Sequence, residues 1–195
     1  LNPAFAPKAL QAMAPRFVAL ANELVAGFAP SGRCEYVSQF AEPYAARVIA
    51  ILLGLPEEDW EDVARVSATI GLAMGVTFRE ELPRIQAALD ELFAYCDKVI
   101  ADRRAHPRDD FATALVQATE DGDRLSEDEL RNSMALMVFG GFDTTRNQLA
   151  LAVATFAQHP EQWALLAQNS DLGKAAVEEV MRVNPTVTWV TREAL

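Results

Sequence analysis

Cysteine is scarce: the 195 residues contain two, Cys34 and Cys96. Two thiols so far apart form neither a metal-ligand spacing nor a disulfide framework, and they suit a reducing cytoplasm. Histidine is as rare. His106 and His159 each precede a proline in a connecting segment, so a metal-dependent hydrolase finds no ligand constellation. Positive charge is short as well, with 17 Lys and Arg against 28 Asp and Glu, a formal net charge of −11. That balance speaks against nucleic acid, which needs clustered basic residues, and against docking on anionic lipid. The acids are dispersed, as in Glu57-Glu58-Asp59 and Asp109-Asp110, in the manner of solvated surface charge. A long apolar run is missing too. The strongest, Met134 to Phe142, is too short to span a bilayer and runs into Asp143, Arg146 and Asn147. No signal peptide is visible, and the chain opens on Leu1 rather than Met, as expected if its natural start lies upstream.

What is present is apolar and helical. Hydrophobic residues make up 51% of the chain, enough for a sizeable core, and no linker or repeat divides it, so residues 1–195 read as one domain piece. Apolar spacing predicts a helix over 6–28, through Phe17, Leu20, Leu24 and Phe28. Cys34-Glu35-Tyr36-Val37 suggests a short strand. Helices are expected over 41–53, closed by Gly54-Leu55-Pro56, and over 57–74, opened by three acids. A loop over 75–81 should lead to a long helix over 82–104, followed by a shorter helix over 110–119 and a turn at Glu120-Asp121-Gly122-Asp123.

The sharpest start signal follows. Ser126 and Glu129 form a capping box, flanked by Leu125 and Leu130 as a hydrophobic staple. The pattern then continues without proline to Gln158, where His159-Pro160 ends it. A helix of that extent is about 50 Å long. A compact globule of this chain length is only about 42 Å across, so the helix reads as the beam of a larger domain. Short helices over 160–168 and 172–183 come next, and Thr186 to Thr191, rich in β-branched residues, reads as a strand.

The centre of the long helix is Phe139-Gly140-Gly141-Phe142-Asp143-Thr144-Thr145. Each glycine there costs about 1 kcal/mol relative to alanine. Two glycines let a flat ligand approach the helix, and a carboxylate beside hydroxyls offers a proton path and can open the helix locally. The plainer reading is a packing notch with Asp143 facing solvent. Glu179 and Arg182 lie one turn apart, the spacing of an ordinary surface salt bridge.

Order and context give these motifs a shared meaning. Gly140-Gly141-Phe142-Asp143-Thr144-Thr145, then His159-Pro160-Glu161, then Glu179-Val180-Met181-Arg182, then Asn184-Pro185 and Arg192 together resemble the cytochrome P-450 family, especially its soluble bacterial members. The first motif is similar to the family's oxygen-binding signature on the distal helix, and the third to its Glu-x-x-Arg pair. Leu1-Asn2-Pro3-Ala4-Phe5 resembles the segment after the helix that supplies a His or Arg to the haem propionates, and 75–81 falls where the family has its mobile substrate-entry loop.

The resemblance implies a mainly α fold: part of a cytochrome P-450 domain, with a long central helix and a minor β element. It implies haem b held by a cysteine thiolate outside this chain, since neither Cys34 nor Cys96 is placed to be that ligand. It also implies dioxygen as co-substrate, a small organic substrate that becomes hydroxylated, and electrons from NAD(P)H through a ferredoxin or flavodoxin-type donor. Asp143 and Thr144 become the catalytic proton relay and the hydrogen-bond donor to bound oxygen. Gly140 and Gly141 give oxygen and cofactor room, and Arg192 pairs with a haem propionate. Leu136, Phe139, Val187 and Thr188 line the substrate pocket, and Glu179 with Arg182 is a structural pair. The expected protein is a cytoplasmic monomer, and this chain alone is expected to be inactive. The reading from another class is a non-catalytic, acidic helical interaction module, in which both glycines of the notch could become alanine without loss.

Overall fold

A computed structural model describes residues 7–117, 119–120 and 123–188. Eight α-helices lie among them: α1 (Pro7–Phe28), α2 (Glu42–Leu53), α3 (Trp60–Gly71), α4 (Phe78–Ala105), α5 (Phe111–Gln117), α6 (Glu127–Gln158), α7 (Pro160–Gln168) and α8 (Gly173–Val183). Two short strands, β1 (Thr119–Glu120) and β2 (Asp123–Arg124), pair antiparallel with Thr119 opposite Arg124. The chain folds as two units, Leu1–Asp143 and Thr144–Leu195, with the boundary inside α6. No helix of the described residues is long and apolar enough to cross a membrane.

The first unit is built around one apolar core. Ile49, Leu53, Val66, Leu92, Val99, Leu115, Met134 and Val138, from α2 to α6, are all buried in it. A smaller cluster joins Phe142 of α6 to Ala45 and Ala46 of α2 and Ala64 of α3. The small side chains of α2 and α3 are what let the Phe142 ring reach zero exposure there. Beside the larger core lies Arg103, 2% exposed. Its Nε donates to Asp110 Oδ2 at 2.8 Å, Nη1 pairs with Asp102, and Nη2 donates to the Gly54 carbonyl. A cation this deep is tolerable only because every face of the guanidinium is partnered. Gly54 has φ 76 and lies where a Cβ would sit 2.3 Å from that of Asp110, so both its backbone angle and the space demand glycine.

Element boundaries follow local chemistry, and three expectations are corrected by it. Val37–Ala41 is a turn of π-helix running into α2, not a strand. The Glu35 carboxylate accepts from the Val37 and Ser38 amides, which starts a helix. Tyr36, Phe40 and Tyr44, four apart, stack with centroids 5.2 and 5.4 Å from one another. The expected loop over 75–81 is shorter, because α4 begins at Phe78, with Glu80 and Glu81 in its first turn and Pro83 inside it. Acids favour that positive end of the dipole. The helix expected over 110–119 stops at Gln117, and Thr119 belongs to β1. Elsewhere the capping box forms as expected: Ser126 N donates to Glu129 Oε2 at 2.9 Å and Glu129 N to Ser126 Oγ at 3.3 Å. The backbone bond from Ser126, then its hydroxyl, holds the Glu129 carboxyl below its ordinary range.

Residues 186–188 are not in a strand. Thr186 is instead tied to α6 by its amide, which donates to Gln148 Oε1 at 2.9 Å. Residues 189–191 of that expected strand, Arg192, the opening Leu1 to Phe5, and Asp121-Gly122 of the expected turn lie outside the described residues.

The two cysteines differ sharply. Cys34 is exposed and Cys96 is fully buried, and burial, helped by the nearby Asp97 charge, pushes the Cys96 thiol up to about 12. Thiolate is the reactive form. At pH 8 a thiol-disulfide indicator should therefore register one fast-reacting group in the native chain, abolished by Cys34→Ser, and two after denaturation. Two fast groups in the native chain would mean that the core around Cys96 is open.

Candidate active site

The long helix takes its orientation from its buried side. Leu130, Met134, Ala135, Val138 and Phe142 are all buried, on one flank of a 3.6-residue repeat. Leu136, Gly140 and Thr144, at i, i+4 and i+8, fall on the opposite flank. Leu136 is 69% exposed and Thr144 is exposed. A Cβ added to Gly140 would meet nothing within 4 Å. Gly141 is different: its Cβ would lie 2.4 Å from Cδ1 and 2.9 Å from Cγ1 of Ile49 in α2. The glycine pair thus splits into a packing glycine, Gly141, and a glycine on open space, Gly140.

Asp143 is half-buried rather than facing open solvent. Its Oδ1 stands 3.2 Å from where a Gly71 side chain would begin, at the C-terminal end of α3. Phe139 is partly buried and packs against the main core. The helix remains α-helical through residues 139–145, with no local opening. The motif therefore presents an apolar residue, a position without a side chain and a hydroxyl along one open strip, with a carboxylate at its edge. A flat group can lie on such a strip, because nothing projects at Gly140 to hold it off. The residues present fit a planar macrocycle with a small diatomic ligand.

In the second unit, Glu179 and Arg182 make a two-pronged ion pair, with Arg182 Nε on Oε2 at 2.8 Å and Nη2 on Oε1 at 2.7 Å. The Arg182 hydrogen bonds hold the Glu179 carboxyl below its ordinary range. Both side chains are exposed, at 60% and 68%. Val187, 54% exposed, and Thr188 are also open to solvent. Asn184 Nδ2 donates to Thr155 Oγ1 at 3.2 Å, which ties the end of α8 to α6. One feature that sequence reasoning missed is a cleft of about 630 Å³ lined by Phe156, Leu165, Leu172, Ala176 and Val180. Its lining includes His159 and Glu161 of the connecting segment and Glu179 of the ion pair, but none of residues 139–145; in the sequence only the apolar faces of three short segments point to it.

The chain matches the family described as Cytochrome P450 over residues 74–195. It is 36% identical to luteothin monooxygenase of Streptomyces thioluteus over 94% of this chain and 45% of that protein. It is 32% identical to cytochrome P450 CYP107DY1 of Priestia megaterium over 92% of this chain and 43% of that protein. Among solved structures, myxobacterial CYP267B1 in complex with myristic acid superposes with a TM-score of 0.83 at 33% identity, covering 94% of this chain and 45% of its own. The chain belongs to the cytochrome P450 family, resembles bacterial members of it, and carries part of that fold. It spans just under half the length of these relatives. Family membership does not favour the reading as a non-catalytic interaction module.

The two glycines should respond in opposite ways to the same substitution. Gly140→Ala adds a methyl in open space and should raise stability of this chain by up to about 1 kcal/mol. Gly141→Ala drives a methyl into Ile49 and should lower it by about 1–3 kcal/mol, with partial recovery in Gly141→Ala/Ile49→Ala. Urea denaturation of the four chains measures this; equal effects at the two glycines would contradict the split.

Proposed function

We propose that this chain supplies the distal wall and the proton relay of a haem-thiolate monooxygenase. The observation that carries the reading is the open strip of α6, Leu136–Gly140–Thr144, with Asp143 at its edge, in a member of this family. Haem held by a cysteine thiolate would supply the iron at which dioxygen is reduced. The balance is one dioxygen, one NAD(P)H, one proton and one C–H substrate giving an alcohol, water and NAD(P)⁺.

The chain's own residues divide the work. Gly140 leaves room for the macrocycle and its small ligand. Gly141 keeps α6 close to α2, so that the strip is presented at a fixed angle. Thr144 holds a proton at Oγ1, and Asp143 replenishes it, a positioned acid–base role worth about 10²-fold or more in rate. Leu136 and Phe139 offer a small organic substrate apolar contact in the first unit; Val187 and Thr188 are the substrate-side residues of the second. Arg192 neutralises a haem propionate. Glu179 and Arg182 brace α8 as a structural pair. Electrons come from NAD(P)H through a ferredoxin or flavodoxin-type protein, in the cytoplasm, to a monomer.

The test uses the family-length protein with haem, a ferredoxin, its NADPH-dependent reductase and myristic acid as probe, the ligand of the solved relative. Thr144→Ala should keep consuming NADPH while product falls about tenfold or more, the two electrons and two protons per dioxygen leaving as hydrogen peroxide. Unchanged yield of product per NADPH in that variant would remove Thr144 from the relay. Absence of hydroxylated myristate from the unaltered protein would exclude fatty acids of this size from its substrate class.

A further inference from the structure

Gly71 closes α3 with φ −56 and ψ −24, ordinary right-handed helix. No backbone requirement calls for glycine there, and a glycine in that conformation is a poor helix former. Space explains it instead. A Cβ at Gly71 would lie 3.2 Å from Oδ1, 3.4 Å from Cγ and 3.6 Å from Oδ2 of Asp143, and no other group lies among its three nearest neighbours. The preceding turns of the same helix hold the preceding residue of α6: Ala64 lies with Phe142 in one buried cluster, with Trp60 and Ala68 packed against it. Ala64, Ala68 and Gly71, on one face of α3, thus form a shelf of small residues on which Phe142 and then the Asp143 carboxylate rest.

We infer that Gly71 is a positioning residue for the Asp143 carboxylate, setting where the relay's proton is held. This rests on the relay reading of Asp143 given above. The carboxylate contacts the site where a side chain would stand, so even a methyl must displace it by a few tenths of an ångström. Proton delivery over hydrogen-bond distances is steep in position, so a displacement of that size is expected to slow it about threefold to tenfold. Folding responds differently, because alanine is the better helix former at this backbone geometry.

The experiment uses the haem-loaded, family-length protein with the same ferredoxin system and myristic acid. Gly71→Ala should leave the melting temperature unchanged or raised, yet raise the peroxide released per NADPH and the solvent deuterium isotope effect on turnover. Gly71→Val should lower the melting temperature, and the drop should shrink in an Asp143→Ala background, where the carboxylate it meets is gone. In that background Gly71→Ala should have no further effect on peroxide. Equal drops in both backgrounds would overturn the contact. A reduced drop with unchanged peroxide and isotope effect in Gly71→Ala would overturn the positioning role. If Asp143→Ala alone leaves turnover and peroxide unaltered, the relay reading of Asp143 fails, and this inference fails with it.

Discussion

The structure depends on one close approach: the backbone of α6 at Gly141 lies against Ile49 of α2, where a Cβ would stand 2.4 Å from the isoleucine's terminal methyl. A helix buried along one flank can in principle roll by a residue with modest loss of apolar contact, since leucine, methionine and valine substitute for one another readily. A backbone packed on a side chain cannot roll. With Phe142 buried beside Gly141, the rotation of α6 is fixed from two adjacent positions. That rotation puts Leu136, Gly140 and Thr144 on the opposite flank and Asp143 at the edge, over Gly71.

The same economy is visible around Arg103. The guanidinium bonds the Gly54 carbonyl at the end of α2 and Asp110 ahead of α5, while α4 carries it. Asp110 also accepts from the Thr113 amide at 2.8 Å, capping α5. One buried cation therefore joins three helices, and the glycine that permits its approach has the positive φ that ends α2. Polar and steric constraints of this kind hold α2 in place, and α2 in turn is what Gly141 packs on.

Much of this was legible in the sequence. The long helix was readable because its signals are local: the Ser126–Glu129 box, thirty residues without proline, and a proline stop. The short order of Gly-Gly-x-Asp-Thr-Thr, Glu-x-x-Arg and Asn-Pro carried the family. What escaped was non-local or ambiguous. Tyr36, Phe40 and Tyr44 stack at helical spacing, but aromatic and β-branched residues near Cys34 also suit a strand, and only the Glu35 carboxylate on the following amides decides between them. Glu80-Glu81 read as loop, yet they open α4, which carries Pro83 near its start at the loss of one backbone bond. The division of labour between Gly140 and Gly141 has no sequence signal, since it is decided by Ile49, ninety residues away. The same holds for Gly71 and Asp143.

The most direct test of the open strip is the reduced carbon-monoxide difference spectrum of the haem-loaded, family-length protein, recorded beside its Gly140→Phe variant. The account predicts the red-shifted Soret band of thiolate-ligated haem in the first. In the variant it predicts retained haem absorption with the band lost or strongly reduced, because the phenyl ring occupies the strip where the small ligand binds. No such band in the unaltered protein, or an undiminished one in the variant, would contradict the assignment of this face of α6 to the oxygen side of the haem.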